Sequence, residues 1–227
     1  MRLGVLFSGG KDSTYAMFLA KQKNEIACLI SVFSENKESY MFHTPNINLV
    51  EMQAKCLGLP LMIKKTKGEK EKELADLKNA IKEAKTKYKL DGIVTGAVAS
   101  RYQAERIEKI CDELDLKCIN PLWGINQIQL LNELIKNNFK VIISGIFAYP
   151  LDEKWLGKQL DDELIIKLAK LQEQYKLNPS GEGGEIETTV LDCPIFKKKI
   201  EIQDAEAKMI DKNSGIYLIK KARLVPK

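Results

Sequence analysis

Leu3-Gly4-Val5-Leu6-Phe7 is a continuous apolar run that stops at Ser8-Gly9-Gly10. That is the pattern of a strand buried on both faces, followed by a tight turn. Tyr15, Phe18 and Leu19 then recur at helical spacing. The alternation repeats along the first half of the chain. Ile26 to Val32 predicts a second buried strand, and Asn48 to Leu57 a helix closed by Gly58 and Pro60. Leu61-Met62-Ile63 predicts a short third strand. A long helix follows from Glu69 to Tyr88, with Leu74, Leu77, Ile81, Ala84 and Tyr88 on one stripe. Gly92 to Thr95 reads as a fourth strand and Lys117-Cys118-Ile119 as a fifth. Between them Tyr102 to Leu114 is a helix, buried through Ile107, Ile110, Cys111 and Leu114. Strands alternating with helices imply an α/β fold: a doubly wound parallel sheet with helices on both faces.

The pattern changes after Asn120-Pro121-Leu122-Trp123-Gly124. A helix (Gln127 to Lys136) and a strand (Phe139 to Ser144) come first. An irregular stretch through Tyr149-Pro150 leads to another helix, Asp161 to Tyr175. A loop rich in glycine and glutamate spans Asn178 to Thr188. The tail is strand-like at Thr189 to Leu191, Lys199 to Ile202 and Ile216 to Leu224. This half reads as a second, smaller α+β domain, with the expected division at 1–121 and 122–227.

Composition narrows the class. The chain has 227 residues, 44% hydrophobic and 30% charged, as in ordinary globular proteins. No apolar run approaches the roughly 20 residues that span a bilayer. The opening strand is too short for a signal-peptide core, so a cytoplasmic protein with no membrane partner is expected. Its five cysteines include no C-x-x-C pair, and four lie in apolar segments, so they read as core thiols. With one histidine, a multi-histidine metal site is excluded. The net charge of +5 permits an anionic ligand without demanding nucleic acid, and none is expected as a partner. A homodimer is compatible with the sequence, which fixes no oligomeric state.

The chemistry concentrates in Ser8-Gly9-Gly10-Lys11-Asp12-Ser13, between a buried strand and a helix. A helix N-terminus offers unpaired N–H groups and partial positive charge to phosphate. Two glycines allow a sharp turn and close approach of phosphate to backbone. Ser8 and Ser13 add hydroxyls and Lys11 a cation. Asp12 repels a bare phosphate, which suggests a magnesium ion or an orienting role. The string is neither a Walker A loop nor G-x-G-x-x-G. It is S-G-G-x-D-S, similar to the pyrophosphate-binding loop of the ATP pyrophosphatase (PP-loop) superfamily.

Two further strings sharpen the resemblance. One is Gly96-Ala97-Val98-Ala99-Ser100-Arg101-Tyr102-Gln103, with Arg106, Glu108, Cys111 and then Pro121-Leu122-Trp123. The other is Gly181-Glu182-Gly183-Gly184-Glu185-Ile186-Glu187-Thr188. With the N-terminal loop, they resemble the diphthine–ammonia ligase (diphthamide synthetase) family over essentially the whole chain. The resemblance implies a HUP, adenine nucleotide alpha hydrolase-like fold. It also implies a reaction: ATP adenylates the carboxylate of diphthine on translation elongation factor 2, and ammonia displaces AMP to give the amide. ATP and Mg2+ are the implied cofactors. No glutaminase segment is legible, so free ammonia is the expected nitrogen donor.

Site residues follow from position. Ser8, Gly9, Gly10, Lys11, Asp12 and Ser13 are expected to hold the ATP phosphates at the C-terminal edge of the sheet. Asp12 is the candidate Mg2+ ligand. Ser31, Val32 and Phe33 at the end of the second strand, and Thr95, Gly96 and Ala97 at the end of the fourth, are expected near the nucleotide. Arg101 or Arg106 can stabilise charge on the α-phosphate; Tyr102 and Gln103 stand beside them as substrate contacts. Glu182, Gly183, Gly184, Glu185, Glu187 and Thr188 are the expected substrate loop. Its three clustered carboxylates suit a trimethylammonium group, an ammonium ion or magnesium, and the residues alone leave these open. His43 has two readings, a ligand contact or a turn histidine with a structural hydrogen bond. Tyr149, Trp123 and Trp155 are expected to pack in the core, with an aromatic wall for the trimethylammonium as the alternative. The Lys-rich helix from Lys64 to Lys89 reads as a solvated face laced by i,i+4 pairs. Two other functions compete: another PP-loop enzyme acting on tRNA, and a nucleotide-binding sensor without turnover.

Overall fold

The computed structural model describes residues 1–34, 49–66 and 70–227. In chain order its first elements are β1 (Arg2–Leu6), α1 (Lys11–Lys21), β2 (Glu25–Ser34), α2 (Leu49–Leu57), β3 (Leu61–Thr66), α3 (Lys70–Tyr88), β4 (Gly92–Val94), α4 (Arg101–Glu113) and β5 (Lys117–Ile119). Then come α5 (Gln127–Lys136), β6 (Lys140–Phe147), a 3-10 turn (Glu153–Trp155), α6 (Asp162–Tyr175), β7 (Ile186–Asp192), β8 (Lys199–Met209) and β9 (Ser214–Val225). The described residues fall into two compact units. One takes in residues 1–8, 12–34, 59–66 and 70–123; the other takes in residues 9–11, 49–58 and 124–227.

The first unit is built on a five-stranded parallel sheet of order β3-β2-β1-β4-β5. The apolar run of β1 sits at its centre, where both faces are covered, and Leu3 and Val5 are fully buried. One face is sealed by α3 and α4. Leu77, Ala80, Ile81 and Ala84 of α3 and Ile107, Ile110 and Cys111 of α4 pack with Cys28, Ile30 and Ile93 of the strands. The buried face of α1, with Tyr15, Ala16, Met17 and Ala20, lies outside that cluster. Ser100 caps α4 by accepting from Gln103 N–H, so the polar string before the helix is its start signal. The chain leaves β1 toward β2 and returns on the other side as β4. The β1/β4 seam is therefore the topological switch point of the sheet, where open α/β sheets bind ligands.

The second unit holds a four-stranded antiparallel sheet of order β7-β6-β9-β8. Leu130, Leu131 and Leu134 of α5 and Leu164, Ile165 and Leu168 of α6 supply buried apolar positions. Each of these helices opens on a side-chain cap: Asn126 accepts from Gln129 N–H, and Asp161 from Leu164 N–H at 2.7 Å. The stretch before α6 is more ordered than its sequence suggests. Residues 157–160 run along β6, with Leu160 N–H on Val141 O and Ile143 N–H on Lys158 O.

Two expectations change here. The tail strands are longer, forming a β8–β9 hairpin of 11- and 12-residue strands. The outer part of β8 alternates exposed charged and half-buried residues, so that strand shows no apolar run beyond Ile202. The long Lys-rich helix does more than expose charge. Lys78 pairs with Glu113 of α4 at 2.6 Å, and Lys85 Nζ donates to Leu114 O. Both contacts tie α3 to α4 and its C-terminal end instead of running along one helix.

Candidate functional site

The turn after β1 is shaped by its own residues. Gly9 has φ +79°, the left-handed region that glycine enters without strain. Ser8 and Ser13 close the turn: Ser8 N–H reaches Ser13 Oγ at 3.3 Å, and the two hydroxyls lie 3.2 Å apart. Asp12 falls in the first turn of the 11-residue α1, where the helix dipole favours an acid. Gly96, just after β4, is packed directly on this turn. A Cβ there would lie 2.7 Å from Ser13 N, so the glycine is needed for contact with the start of α1 itself. Thr95 is buried; its Oγ1 donates to Asn120 Oδ1 at 2.5 Å and accepts from Ala97 N–H at 3.2 Å. Ser8, Asp12, Ser13, Thr95, Gly96 and Ala97 thus gather at the β1/β4 switch point.

At the neighbouring strand, Phe7 N–H closes onto Ile30 O and β2 continues to Ser34 beside β3. Ser31 and Val32 are buried and Phe33 half-buried, all beyond the end of β1. Ser31 Oγ donates to Phe7 O at 2.6 Å, so its hydroxyl braces the strand leading into the turn. On α4, Arg101 is exposed, while Tyr102, Gln103 and Arg106 are half-buried. The Arg106 guanidinium lies 3.4 Å over the Tyr102 ring, and its Nη1 donates to Tyr102 O at 3.1 Å. Arg106 is thereby held in place, and Arg101 is the more exposed cation. His43 lies outside the described residues.

Gly9 and Lys11 take part in a second set of contacts, with the glutamate-rich loop and β7. Lys11 N–H donates to Thr188 Oγ1 at 3.2 Å. Val190 N–H donates to Gly9 O at 3.1 Å. The Lys11 side chain is only 3% exposed, and its Nζ donates to Ser180 O at 2.5 Å. The structure therefore brings Gly9, Lys11 and Thr188 together.

The glutamate-rich loop is held from within. Glu185 Oε1 accepts from Asn178 N–H and Nδ2, and Oε2 accepts from Gly183 N–H at 2.9 Å. Glu185 thus spends both oxygens on its own loop, while its backbone carbonyl accepts from Phe147 N–H. Gly181 and Gly184 both turn at positive φ, and a Cβ at Gly181 would strike Ile186 O. Glu182 and Glu187 are half-buried, and Gly183 and Gly184 are exposed. Behind the loop is a cavity of about 10 Å³ lined by Lys11, Val141, Ile143, Pro179, Ser180 and Thr188, room for one water-sized molecule.

Three residues that the sequence reading passed over hold these pieces. Gln127 Oε1 accepts from Ser180 N–H and Oγ, and its Nε2 donates to Asn178 Oδ1. Gln53 on α2 donates to Gly9 O and Val190 O. Asn120 receives Thr95. The sequence does carry a signal for Gln53, a lone polar residue on the Leu49, Val50, Ala54, Leu57 stripe; Gln127 and Asn120 carry none.

The aromatic expectation is corrected. Tyr149 is 63% and Trp123 46% exposed, so neither packs in a core, and Trp155 is half-buried. Tyr149 meets Tyr175 edge-on at 5.3 Å. Four of the five thiols are buried as expected, and Cys118 is half-buried. Burial pushes Cys28 and Cys193 up to about 12 and Cys56 up to about 11. A hydrogen bond with Cys111 holds Cys118 below the usual thiol range. Among the described residues, no cluster of three or more His, Cys, Asp or Glu forms a metal site.

Comparison with known proteins identifies a family. Residues 1–118 match the family model described as diphthamide synthase N-terminal domain, and residues 126–225 that described as diphthamide synthase C-terminal domain. The diphthine–ammonia ligase of Mus musculus is 37% identical over 229 residues, covering 92% of this chain and 85% of that protein. That of Rattus norvegicus is 34% identical over 256 residues, covering 100% and 96%. The diphthine–ammonia ligase of Saccharomyces cerevisiae is 31% identical over 231 residues, which cover 87% of this chain and 34% of that protein.

Proposed function

This chain belongs to the diphthamide synthase (diphthine–ammonia ligase) family, and from that premise we propose how its residues carry the reaction. It is an ATP-dependent ligase that amidates diphthine on elongation factor 2 with ammonia, the last step of diphthamide biosynthesis. The tRNA-modifying and sensor readings lose their ground to the family match.

A carboxylate is a poor electrophile, and adenylation gives it a good leaving group. The task of the chain is to hold the triphosphate so that the α-phosphorus meets the carboxylate oxygen, with pyrophosphate leaving. Residues 1–121 form the nucleotide domain and 122–227 the substrate domain in this reading. The N–H groups at the start of α1, the Ser8 and Ser13 hydroxyls and Lys11 hold the phosphates. The residues suit Mg2+: Asp12 stands in the first turn of α1, and Mg2+ is commonly bound by one or two carboxylates plus phosphate oxygens and water. Bound there, Mg2+ would neutralise phosphate charge. The ends of β2 and β4 receive the nucleoside. Arg101 supplies positive charge toward the α-phosphate, and Arg106, stacked on Tyr102, shapes the same helix start. Glu182 and Glu187 attract the cationic end of diphthine, while Glu185 keeps their loop in form. The observation that carries this reading is the bonding of Lys11 to both Ser180 and Thr188. Within one unit, it ties Lys11 to the glutamate-rich loop. A translation factor as substrate supports a cytoplasmic location. Among the described residues, no helix is long and apolar enough to cross a membrane.

The test uses the protein with ATP, magnesium, ammonium and diphthine-bearing elongation factor 2. AMP and pyrophosphate should form only with the acceptor present, and 18O in the acceptor carboxylate should appear in AMP. Lys11→Ala or Asp12→Ala should remove turnover. Release of ADP and phosphate, or label-free AMP, would overturn the reading.

A further inference from the structure

The face of α2 made by Leu49, Val50, Ala54 and Leu57 is buried and apolar, and Gln53 lies within it at 0% exposure. A carboxamide in such a place is costly unless its hydrogen bonds are made. Both N–H groups of Gln53 are used, Nε2 donating to Gly9 O and to Val190 O, each at 2.8 Å, while Oε1 is buried and accepts no hydrogen bond from the described residues. Gly9 O also accepts from Val190 N–H at 3.1 Å, so both lone pairs of this carbonyl are engaged. The fit is close on the other side too. A Cβ on Gly9 would fall 2.1 Å from Gln53 Oε1, so the glutamine packs directly against the bare backbone of Gly9.

From this we infer that Gln53 is a positioning residue for phosphate binding, acting through the Gly9–Gly10 peptide. In a trans peptide the C=O and the following N–H point in opposite directions within one plane. Among the described residues the one cis bond is Tyr149–Pro150, so the peptide between Gly9 and Gly10 is trans. Pinning Gly9 O toward Gln53 and Val190 therefore fixes the plane of this peptide and turns Gly10 N–H the opposite way. That N–H is one of the donors a phosphate meets at a helix N-terminus. Without the carboxamide, Gly9 O keeps only the Val190 N–H, and the left-handed Gly9 is freer to rotate, because glycine has other conformations within easy reach. The donor is then no longer preset, and a bound phosphate must organise it.

The inference rests on reading this turn as the triphosphate cradle, and the experiment separates the two. Dissociation constants for ATP and for adenosine are measured by calorimetry on wild type, Gln53→Met and Gln53→Glu. Met keeps the length and apolar fit without donors; Glu keeps the shape and loses both. The variants should bind ATP at least about tenfold more weakly and adenosine within about twofold of wild type. A role in packing alone would lower the melting temperature and either leave both ligands unchanged or weaken both alike, and each of those results overturns the inference. If wild type binds adenosine as tightly as ATP, the cradle reading fails first. Should a variant not fold, the wild-type protein still decides. The Gln53 side-chain NH2 resonances should shift on adding pyrophosphate and stay in place with adenosine; no shift with pyrophosphate would refute the role.

Discussion

A methyl group added at Gly96 would sit 2.7 Å from Ser13 N and 2.9 Å from the Asp12 carbonyl carbon. Both obstacles are backbone, which cannot swing away as a side chain can. Gly184 makes a useful contrast: it has φ +85°, with nothing within 4 Å of a Cβ. Gly96→Ala should lower ATP affinity at least about tenfold, about 1.4 kcal/mol, because the start of α1 must shift. Gly184→Ala should cost only the strain of a left-handed residue, about 1–2 kcal/mol of stability, and leave ATP affinity unchanged. Titrating both variants with ATP beside a thermal melt checks the pair. Equal loss of nucleotide affinity in the two would contradict the packing described at the switch point.

At the scale of elements, the glutamate-rich loop is a structure with its own frame. Glu185 receives three donors and Gln127 bridges Ser180 to Asn178. Glu185→Gln trades charge-assisted bonds for neutral ones, one of them with the wrong polarity, and should cost about 1.5–3 kcal/mol locally. The expected sign is faster hydrogen exchange at the Gly181, Gly183 and Gly184 amides, with β1 to β5 unchanged. Unaltered exchange in the loop would mean that Glu185 is not its pin. The elements differ in how plainly their sequence shows them. β1 and β2 are legible because a strand covered on both faces must be apolar throughout. The order β3-β2-β1-β4-β5 fits the βαβ alternation because right-handed crossovers leave few other arrangements. The outer part of β8 is not legible, since residues such as Asp204, Glu206 and Lys208 satisfy a ribbon and a loop equally well. Within the site, the glycine turn is visible because its residue types have few other uses. The commitment of Glu185 to its own loop is not visible, because it depends on where the chain folds back at Gly181 and Gly184.

Across the molecule, buried thiols set a limit at high pH. Cys28, Cys56 and Cys193 are almost wholly inaccessible, and burial raises them to about 12, 11 and 12 from an ordinary value of 9.0. The unfolded chain loses these protons near pH 9, while the folded chain keeps them. Stability is therefore fully present below pH 9 and falls as pH climbs toward 11 and 12. Each thiol adds a slope of up to about 1.4 kcal/mol per pH unit. Urea midpoints taken from pH 8 to 10.5 should fall steeply in wild type and less steeply in a Cys28→Ala, Cys193→Ala double variant. Parallel curves would show that other groups govern the alkaline limb.

The bare contact between Gly96 and the first turn of α1 has one more consequence. Ordinary side chains cushion small displacements by changing rotamer, whereas here two main chains touch with no buffer between them. Any displacement of a few tenths of an ångström at Ser13 is handed undamped to Thr95 and its anchor on Asn120. The two turns at the sheet edge travel as one rigid piece.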